Sequence, residues 1–148
     1  MLDIDFFEEE LNLLKTTSKW GFFEYRRKSP NFKTCVTNHF KEVVERKRYG
    51  IYIVRQLDSK EVLYIGKSGT LDSQGQFKGQ DIPKRLKNVK EGNVSANKWF
   101  KDLLQEKGSL IIEYVFLSCT FSPAFIEATL LQAFLNEYHR LPYKNKQL

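Results

Sequence analysis

Two short runs rich in β-branched and aromatic residues constrain the fold of this chain most. Residues 50–55 read GIYIVR, residues 61–66 read EVLYIG, and the five residues between them are mostly polar. This pattern predicts a β-hairpin. A simple register across that loop sets Tyr52 opposite Tyr64, with the aliphatic residues on the other face. Two tyrosines therefore share one face, although aromatic cross-strand pairs also stabilise sheets with no further role.

The rest of the chain predicts helices around one more strand. Residues 110–117, LIIEYVFL, form the third predicted strand. Residues 18–38 and 67–80 predict irregular structure. Apolar spacing and capping residues predict helices over residues 4–15, 36–48, 82–89, 95–107 and 122–139. The fold class is therefore α+β, with a small three-stranded, mainly antiparallel sheet made of the hairpin 50–66 and strand 110–117, flanked by helices.

The charge is distributed unevenly along the 148 residues. Residues 1–14 carry a net charge of −5, residues 15–48 carry +7, and the remainder carries +4. We therefore expect a basic, aromatic and helical N-terminal extension over residues 1–48, followed by a compact domain over residues 49–148.

Basic residues interleaved with aromatic ones are typical of nucleic-acid surfaces, where cations meet phosphates and rings stack on bases. A solvated basic face over an ordinary core would show the same composition. The candidate DNA contacts are Lys19, Arg26, Arg27, Lys28, Lys33, Lys78 and Lys84.

The sequence also suggests a compartment. No apolar stretch is long enough to span a membrane, and the first ten residues are acidic, unlike a secretory signal. Cys35 and Cys119 are too few for a disulfide framework. We expect a cytoplasmic protein without a membrane partner.

One carboxylate of the last predicted helix stands out. With Ser122 as the N-cap, Glu127 is the fifth helical residue, beyond the turn that capping would explain. It falls within the apolar stripe of that helix. A buried carboxylate needs a partner, a proton or a metal. An Arg or Lys partner, or a solvent-exposed end of the stripe, would account for it without a functional role. The stripe consists of Leu130, Leu131, Phe134 and Tyr138.

The hairpin carries a recognisable signature. Gly50-Ile51-Tyr52 is followed, after eleven residues, by Tyr64-Ile65-Gly66. This pair resembles the signature of the GIY-YIG nuclease superfamily, and the resemblance covers roughly residues 49–146. The downstream matches are Lys67, Arg85, Glu127 and the closing Pro142-x-x-Asn145. The chain departs from the family in a longer loop before Arg85, in Val89 where the family often has Tyr or His, and in lacking a separate DNA-binding domain.

The resemblance implies a metal-dependent endonuclease that hydrolyses phosphodiester bonds in DNA, which is double-stranded in our expectation. It implies that Glu127 holds Mg²⁺ or Mn²⁺ and that Arg85 contacts the scissile phosphate. Lys67 would contact phosphate or lie beside a tyrosine. Tyr52 is our candidate general base, with Tyr64 as its neighbour, because nearby cations favour the phenolate. We expect Asn145 to order the site by hydrogen bonds.

Other interpretations stay open. The same fold could serve as a catalytically decayed nucleic-acid-binding module. It could also be a protein-interaction domain, with the acidic N-terminal helix as a dimer contact. A histidine-metal nuclease is disfavoured, because His39 and His139 are the only histidines and lack metal-ligand spacing. The oligomeric state is open, and a dimer is possible.

Overall fold

The structure is a computed structural model that describes residues 6–118 and 121–148. Cys119 and the first two residues of the predicted helix 4–15 lie outside this description. The helices are α1 (Phe7–Thr17), α2 (Phe32–Phe40), α3 (Ile82–Lys87), α4 (Ala96–Lys107) and α5 (Pro123–Tyr138), with a 3-10 turn at Glu91–Asn93. The strands are β1 (Lys19–Tyr25), β2 (Gly50–Gln56), β3 (Val62–Ser68), β4 (Thr70–Leu71), β5 (Phe77–Lys78) and β6 (Leu110–Phe116).

The main sheet confirms the predicted α+β class but has four strands, in the order β1-β6-β2-β3, all antiparallel. The expectation of three strands, and of irregular structure throughout residues 18–38, is therefore wrong. Strand β1 lacks a clear alternation because its third residue is Gly21 and two phenylalanines follow it. A Cβ at Gly21 would lie 2.4 Å from the Tyr114 hydroxyl oxygen, so the tyrosine of the neighbouring strand fills the space of the missing side chain.

The hairpin of β2 and β3 forms as predicted, but in a different register. Tyr52 pairs with Gly66 and Val54 pairs with Tyr64, so the predicted Tyr52–Tyr64 pairing is wrong. The register shifts at an irregularity beside Val54, near a loop in which Lys60 has a positive φ of 65°. Because the displacement from the predicted register is two residues, both tyrosines keep the same face.

Gly66 leaves room for a ring. A Cβ at this position would lie 2.4 Å from the Cζ atom of Tyr52. The Tyr52 ring therefore crosses directly over Gly66, which explains physically why the two residues occur together on this hairpin.

Helix α2, predicted over residues 36–48, instead spans Phe32–Phe40. The Asn31 side chain caps it by accepting a hydrogen bond from the Thr34 backbone N–H at 2.9 Å. After the helix, the Arg48 guanidinium donates to two carbonyl oxygens of its own segment. These contacts hold residues 41–49 in a non-helical path.

Two hydrophobic clusters cover the two faces of the sheet. The first contains Tyr52 and Val54 and is covered by α2, α3 and α4. The second contains Ile51 and Ile53 and is covered by α1 and α5. Because α1, β1 and α2 take part in this sheet and these clusters, the hydrophobic core does not divide at residue 48.

Four charged side chains attach α1 to the sheet. The buried Arg55 pairs with Glu113 of β6, and its terminal nitrogens reach the Glu8 carboxylate of α1 at 2.6 and 2.8 Å. Lys15 donates to Glu113 at 2.6 Å. Burial opposes ionisation of Glu113, but Lys15 and Arg55 outweigh it and lower the pKa of this carboxyl. The two basic and the two acidic side chains therefore neutralise each other beneath α1.

Helix α5 begins as predicted. The Ser122 hydroxyl accepts a hydrogen bond from the Phe125 backbone N–H at 3.0 Å. The helix ends at His139, which has a positive φ of 58°. Although α5 is the longest helix of the described residues, neither it nor any other helix among them is long and apolar enough to cross a membrane.

Candidate active site

A cleft of about 320 Å³ opens beside the C-terminal end of β3. Strand β3, the β4–β5 hairpin, α3 and α5 contribute to its wall, so distant parts of the chain meet there. Four of the predicted catalytic residues and one candidate DNA contact, Lys78, are among the residues that line it. The lining residues are Tyr64, Lys67, Ser68, Gly69, Thr70, Lys78, Gly79, Gln80, Arg85 and Glu127.

One wall of the cleft comes from the segment 67–80, predicted to be irregular. Strand β3 extends to Ser68 and the segment contains the short β4–β5 hairpin, so that prediction is wrong for residues 67–68, Thr70–Leu71 and Phe77–Lys78. The ring of Tyr49 stacks on Phe77 with centroids 5.0 Å apart, which attaches the hairpin to the start of β2. The buried Ser68 hydroxyl accepts from the Gly50 N–H at 3.1 Å and fixes the base of the wall.

Arg85 is carried by the short helix α3. The Asp81 carboxylate caps this helix by accepting from the Lys84 N–H at 3.1 Å. At the other end, Lys90 donates from Nζ to the carbonyl oxygen of Arg85 at 2.9 Å. Burial and the Arg85 charge lower the pKa of Lys90 to about 7. Neither the residue type of Lys90 nor its spacing in the sequence distinguishes it from the other lysines, so the sequence did not predict this contact.

Four charged groups of the cleft have no direct partner among the described residues. Within residues 6–118 and 121–148, the side chains of Lys67, Lys78, Arg85 and Glu127 make no hydrogen bond and no ion pair. Burial raises the pKa of the Glu127 carboxyl, against the opposing effect of Lys67 and Arg85. The site therefore holds charges that are partly desolvated but not neutralised by each other, an arrangement suited to a charged ligand.

The two tyrosines lie at different depths below the surface of the cleft. Tyr64 lines the cleft, whereas Tyr52 lies beneath it with only 1% of its surface exposed, and the ring centroids are 6.0 Å apart. Burial raises the pKa of both hydroxyls, and although Arg85 acts in the opposite direction, burial outweighs it. Both are neutral phenols at neutral pH, and of the two only Tyr64 lines the cleft.

Asn145 lies away from the cleft, on the outer edge of β3. Its side-chain amide accepts from the Ile65 N–H and donates to the Ile65 carbonyl, both at 2.9 Å. The Lys144 N–H also donates to the Leu63 carbonyl at 2.8 Å. The C-terminal segment thus pairs with the open edge of β3, and Asn145 supports the strand that carries Tyr64 and Lys67.

The candidate DNA contacts do not form one surface. Lys78 lines the cleft, and Lys84 is exposed on α3 beside Arg85. The register places Lys19 at the cleft end of the sheet, paired with Glu45. The others lie towards the opposite end of the sheet, where β1 finishes, or on α2: Arg26, which pairs with Glu24, and Arg27, Lys28 and Lys33.

The residues of the cleft fit a divalent cation held largely by its substrate. Glu127 is the one carboxylate among the lining residues. Within the described residues no group of three or more His, Cys, Asp or Glu side chains could hold a metal. Mg²⁺ commonly uses one or two carboxylates and completes its shell with water and phosphate oxygens. An unpaired, half-buried carboxylate matches that requirement.

Comparison with known proteins adds no relative. Neither protein-family models nor curated proteins nor solved structures give a match to this chain. The functional interpretation therefore depends on the residues of the cleft and their geometry.

Proposed function

We propose that this protein is a divalent-metal-dependent endonuclease of the GIY-YIG type, which hydrolyses phosphodiester bonds in DNA. One observation carries the proposal. Lys67, Arg85 and Glu127, whose charged groups have no direct partner among the described residues, line one cleft together with Tyr64.

The cations of the cleft suit a phosphate. Arg85 offers a planar, permanently charged fork that can donate two hydrogen bonds to the non-bridging oxygens. Lys67 and Lys78 lie on other parts of the cleft wall and supply further positive charge for the flanking phosphates. Fixed cations at these positions stabilise the negative charge that develops on the phosphate without having to reorient during the reaction.

Hydrolysis requires a water whose oxygen attacks phosphorus while the bond to one ester oxygen breaks. The attacking water gives up a proton to solvent, and the departing oxygen takes one up from solvent. Tyr64 is our candidate for orienting this water, since as a neutral phenol it can accept a hydrogen bond from it. Tyr52, buried below, positions the Tyr64 ring. Glu127 would hold the divalent cation, which supplies Lewis-acid stabilisation of the phosphate when bound.

Double-stranded DNA and a cytoplasmic location belong to the same proposal. The net charge of +6 supports a polyanionic partner. The scarcity of cysteine supports a reducing compartment.

The test is cleavage of supercoiled plasmid with Mg²⁺ or Mn²⁺, and with a chelator. The wild type should nick the plasmid only with metal, and Arg85→Ala should lower the rate by about 10²–10³-fold, the usual effect of removing one transition-state donor. Arg46→Ala is the matched control, because Arg46 is exposed and outside the cleft. DNA binding with no cleavage under any metal would favour a decayed binding module. Unchanged cleavage by Arg85→Ala would contradict the site.

A further inference from the structure

The β4–β5 hairpin forms one wall of the cleft and extends beyond it. Thr70 and Lys78 pair across the hairpin, and both line the cleft. Past them the hairpin continues to a turn at residues 73–75, where Ser73 and Gln74 are exposed. A Cβ at Gly75 would meet no atom within 4 Å, so no other part of the described chain packs there. A large ligand held in the cleft therefore runs past this turn.

One carboxylate holds the turn in a fixed shape. The Asp72 Oδ1 atom accepts hydrogen bonds from the backbone N–H groups of Gln74 and Gln76 at 2.9 and 3.0 Å. The Asp72 N–H donates to the Gln76 carbonyl at 2.9 Å, and the Gly75 N–H donates to the Asp72 carbonyl at 3.0 Å. Because the turn is ordered without a ligand, binding through it costs less conformational entropy.

The side chains of the hairpin divide between two faces. Phe77 stacks on Tyr49 and so faces the body of the protein. By the alternation of a strand, Gln76 and Lys78 project from the opposite face, which is the face that lines the cleft at Lys78. Gln76 lies two residues nearer the turn, about 7 Å along the strand from Lys78. The exposed amides of Gln74 and Gln76 make no side-chain hydrogen bond within the described residues.

The size and chemistry of the hairpin suit the major groove of DNA. A cleft of about 320 Å³ admits a phosphate group but not a duplex, so the rest of a bound duplex lies over the rim that the hairpin forms. The major groove is about 12 Å wide and admits a two-stranded β-ribbon, whereas the minor groove is only about 6 Å wide. A glutamine amide can accept from N6 of adenine and donate to N7, a bidentate contact that distinguishes adenine from the other bases.

We propose that the β4–β5 hairpin reads the base sequence of the DNA, with Gln76 contacting an adenine in the major groove beside the cleaved phosphate. Lys78, nearer the cleft on the same face, contacts the backbone phosphate and fixes the position of the hairpin. This inference rests on the proposed function, because it is the cleft that places the duplex against the hairpin. It adds a sequence preference to a site whose other contacts are with the phosphate backbone.

Selection from a pool of randomised DNA duplexes tests the inference without requiring cleavage. The pool is incubated with the full chain and a chelator, and the bound duplexes are isolated and sequenced. The wild type should enrich a short common motif that contains an A·T pair. Gln76→Ala should lower the preference for adenine at one position at least about fivefold and leave the other positions unchanged. Gln105→Ala is the matched control, because Gln105 is exposed on α4 outside the cleft, and it should select the wild-type motif.

The outcomes separate this inference from the proposed function. A wild type that cleaves DNA but enriches no motif would overturn the inference and leave the nuclease proposal intact, as would Gln76→Ala that selects the wild-type motif. A motif that depends on Gln76, in a protein that cleaves no DNA, would support the inference and contradict the nuclease proposal. A wild type that binds no duplex would overturn both.

Discussion

Replacing Glu127 by glutamine should stabilise the fold while it removes the activity. The carboxylate is partly buried, without an ion pair or hydrogen bond among the described residues, and burial raises its pKa. The folded state therefore favours the neutral form, and at pH 7 the charge costs stability. Glutamine has the same shape without the charge. We expect a gain of about 0.5–1 kcal/mol, in the range of single stabilising substitutions. For a domain of this size, that corresponds to about 1–4 °C in Tm.

The pH dependence of this gain is the sharper part of the prediction. Because the folded pKa of Glu127 is raised, the cost of its charge is present above that pKa and disappears below the ordinary value of 4.5. Denaturant unfolding of both proteins should therefore show a stability difference at pH 7 that shrinks towards pH 4. Glu42→Gln, at an exposed position, should change stability by less than about 0.5 kcal/mol. A Glu127→Gln protein less stable than wild type at pH 7 would show that the charge of Glu127 stabilises the folded state.

Three further predictions concern the core and the tyrosines. Gly66→Ala forces a Cβ to within 2.4 Å of the Tyr52 Cζ atom. We therefore expect the free energy of unfolding, measured with denaturant, to fall by about 3 kcal/mol. A fall of less than about 1 kcal/mol would show that the ring moves freely. Glu113→Gln should cost about 3 kcal/mol at pH 7. Because the pKa of Glu113 is lowered, the stability that its charge contributes is complete above pH 4.5 and is lost as the pH falls through the folded pKa. The free energies of unfolding of wild type and Glu113→Gln should therefore converge in acid. A constant difference from pH 7 to pH 3 would speak against the ion pairs. Tyr64→Phe should lower the rate of DNA cleavage by about 10²-fold, the usual cost of a misplaced reactant, and Tyr52→Phe should lower it by less than tenfold; the reverse order would assign the water to Tyr52.

The faces of the hairpin could be predicted from the sequence, but its register could not. Alternation with a period of two places Tyr52 and Tyr64 on one face in any register displaced by an even number of residues. The register itself depends on the loop, where Lys60 adopts a positive φ. A lysine does not predict this conformation. The start of α5 was predictable for a local reason, since Ser122 and Pro123 form a common N-terminal sequence.

The features that the sequence did not reveal depend on contacts between distant residues. Strand β1 contains Gly21, and a glycine within a short apolar run predicts a break in the strand. In the structure, the Tyr114 ring occupies the space beside Gly21. The β4–β5 hairpin is attached by Tyr49 stacking on Phe77. Local patterns carry no information about such pairs, so the wall of the cleft had to come from the structure.

The most direct test of the central claim is single-turnover cleavage of a DNA duplex in Mg²⁺ by Glu127→Gln, beside Glu42→Gln. Both substitutions remove one negative charge, but only the first removes the carboxylate of the cleft. We expect Glu127→Gln to bind the duplex at least as tightly as wild type and to cleave it at least about 10²-fold more slowly. Glu42→Gln should cleave at the wild-type rate. Equal cleavage by Glu127→Gln and wild type would show that the Glu127 carboxylate takes no part in the reaction.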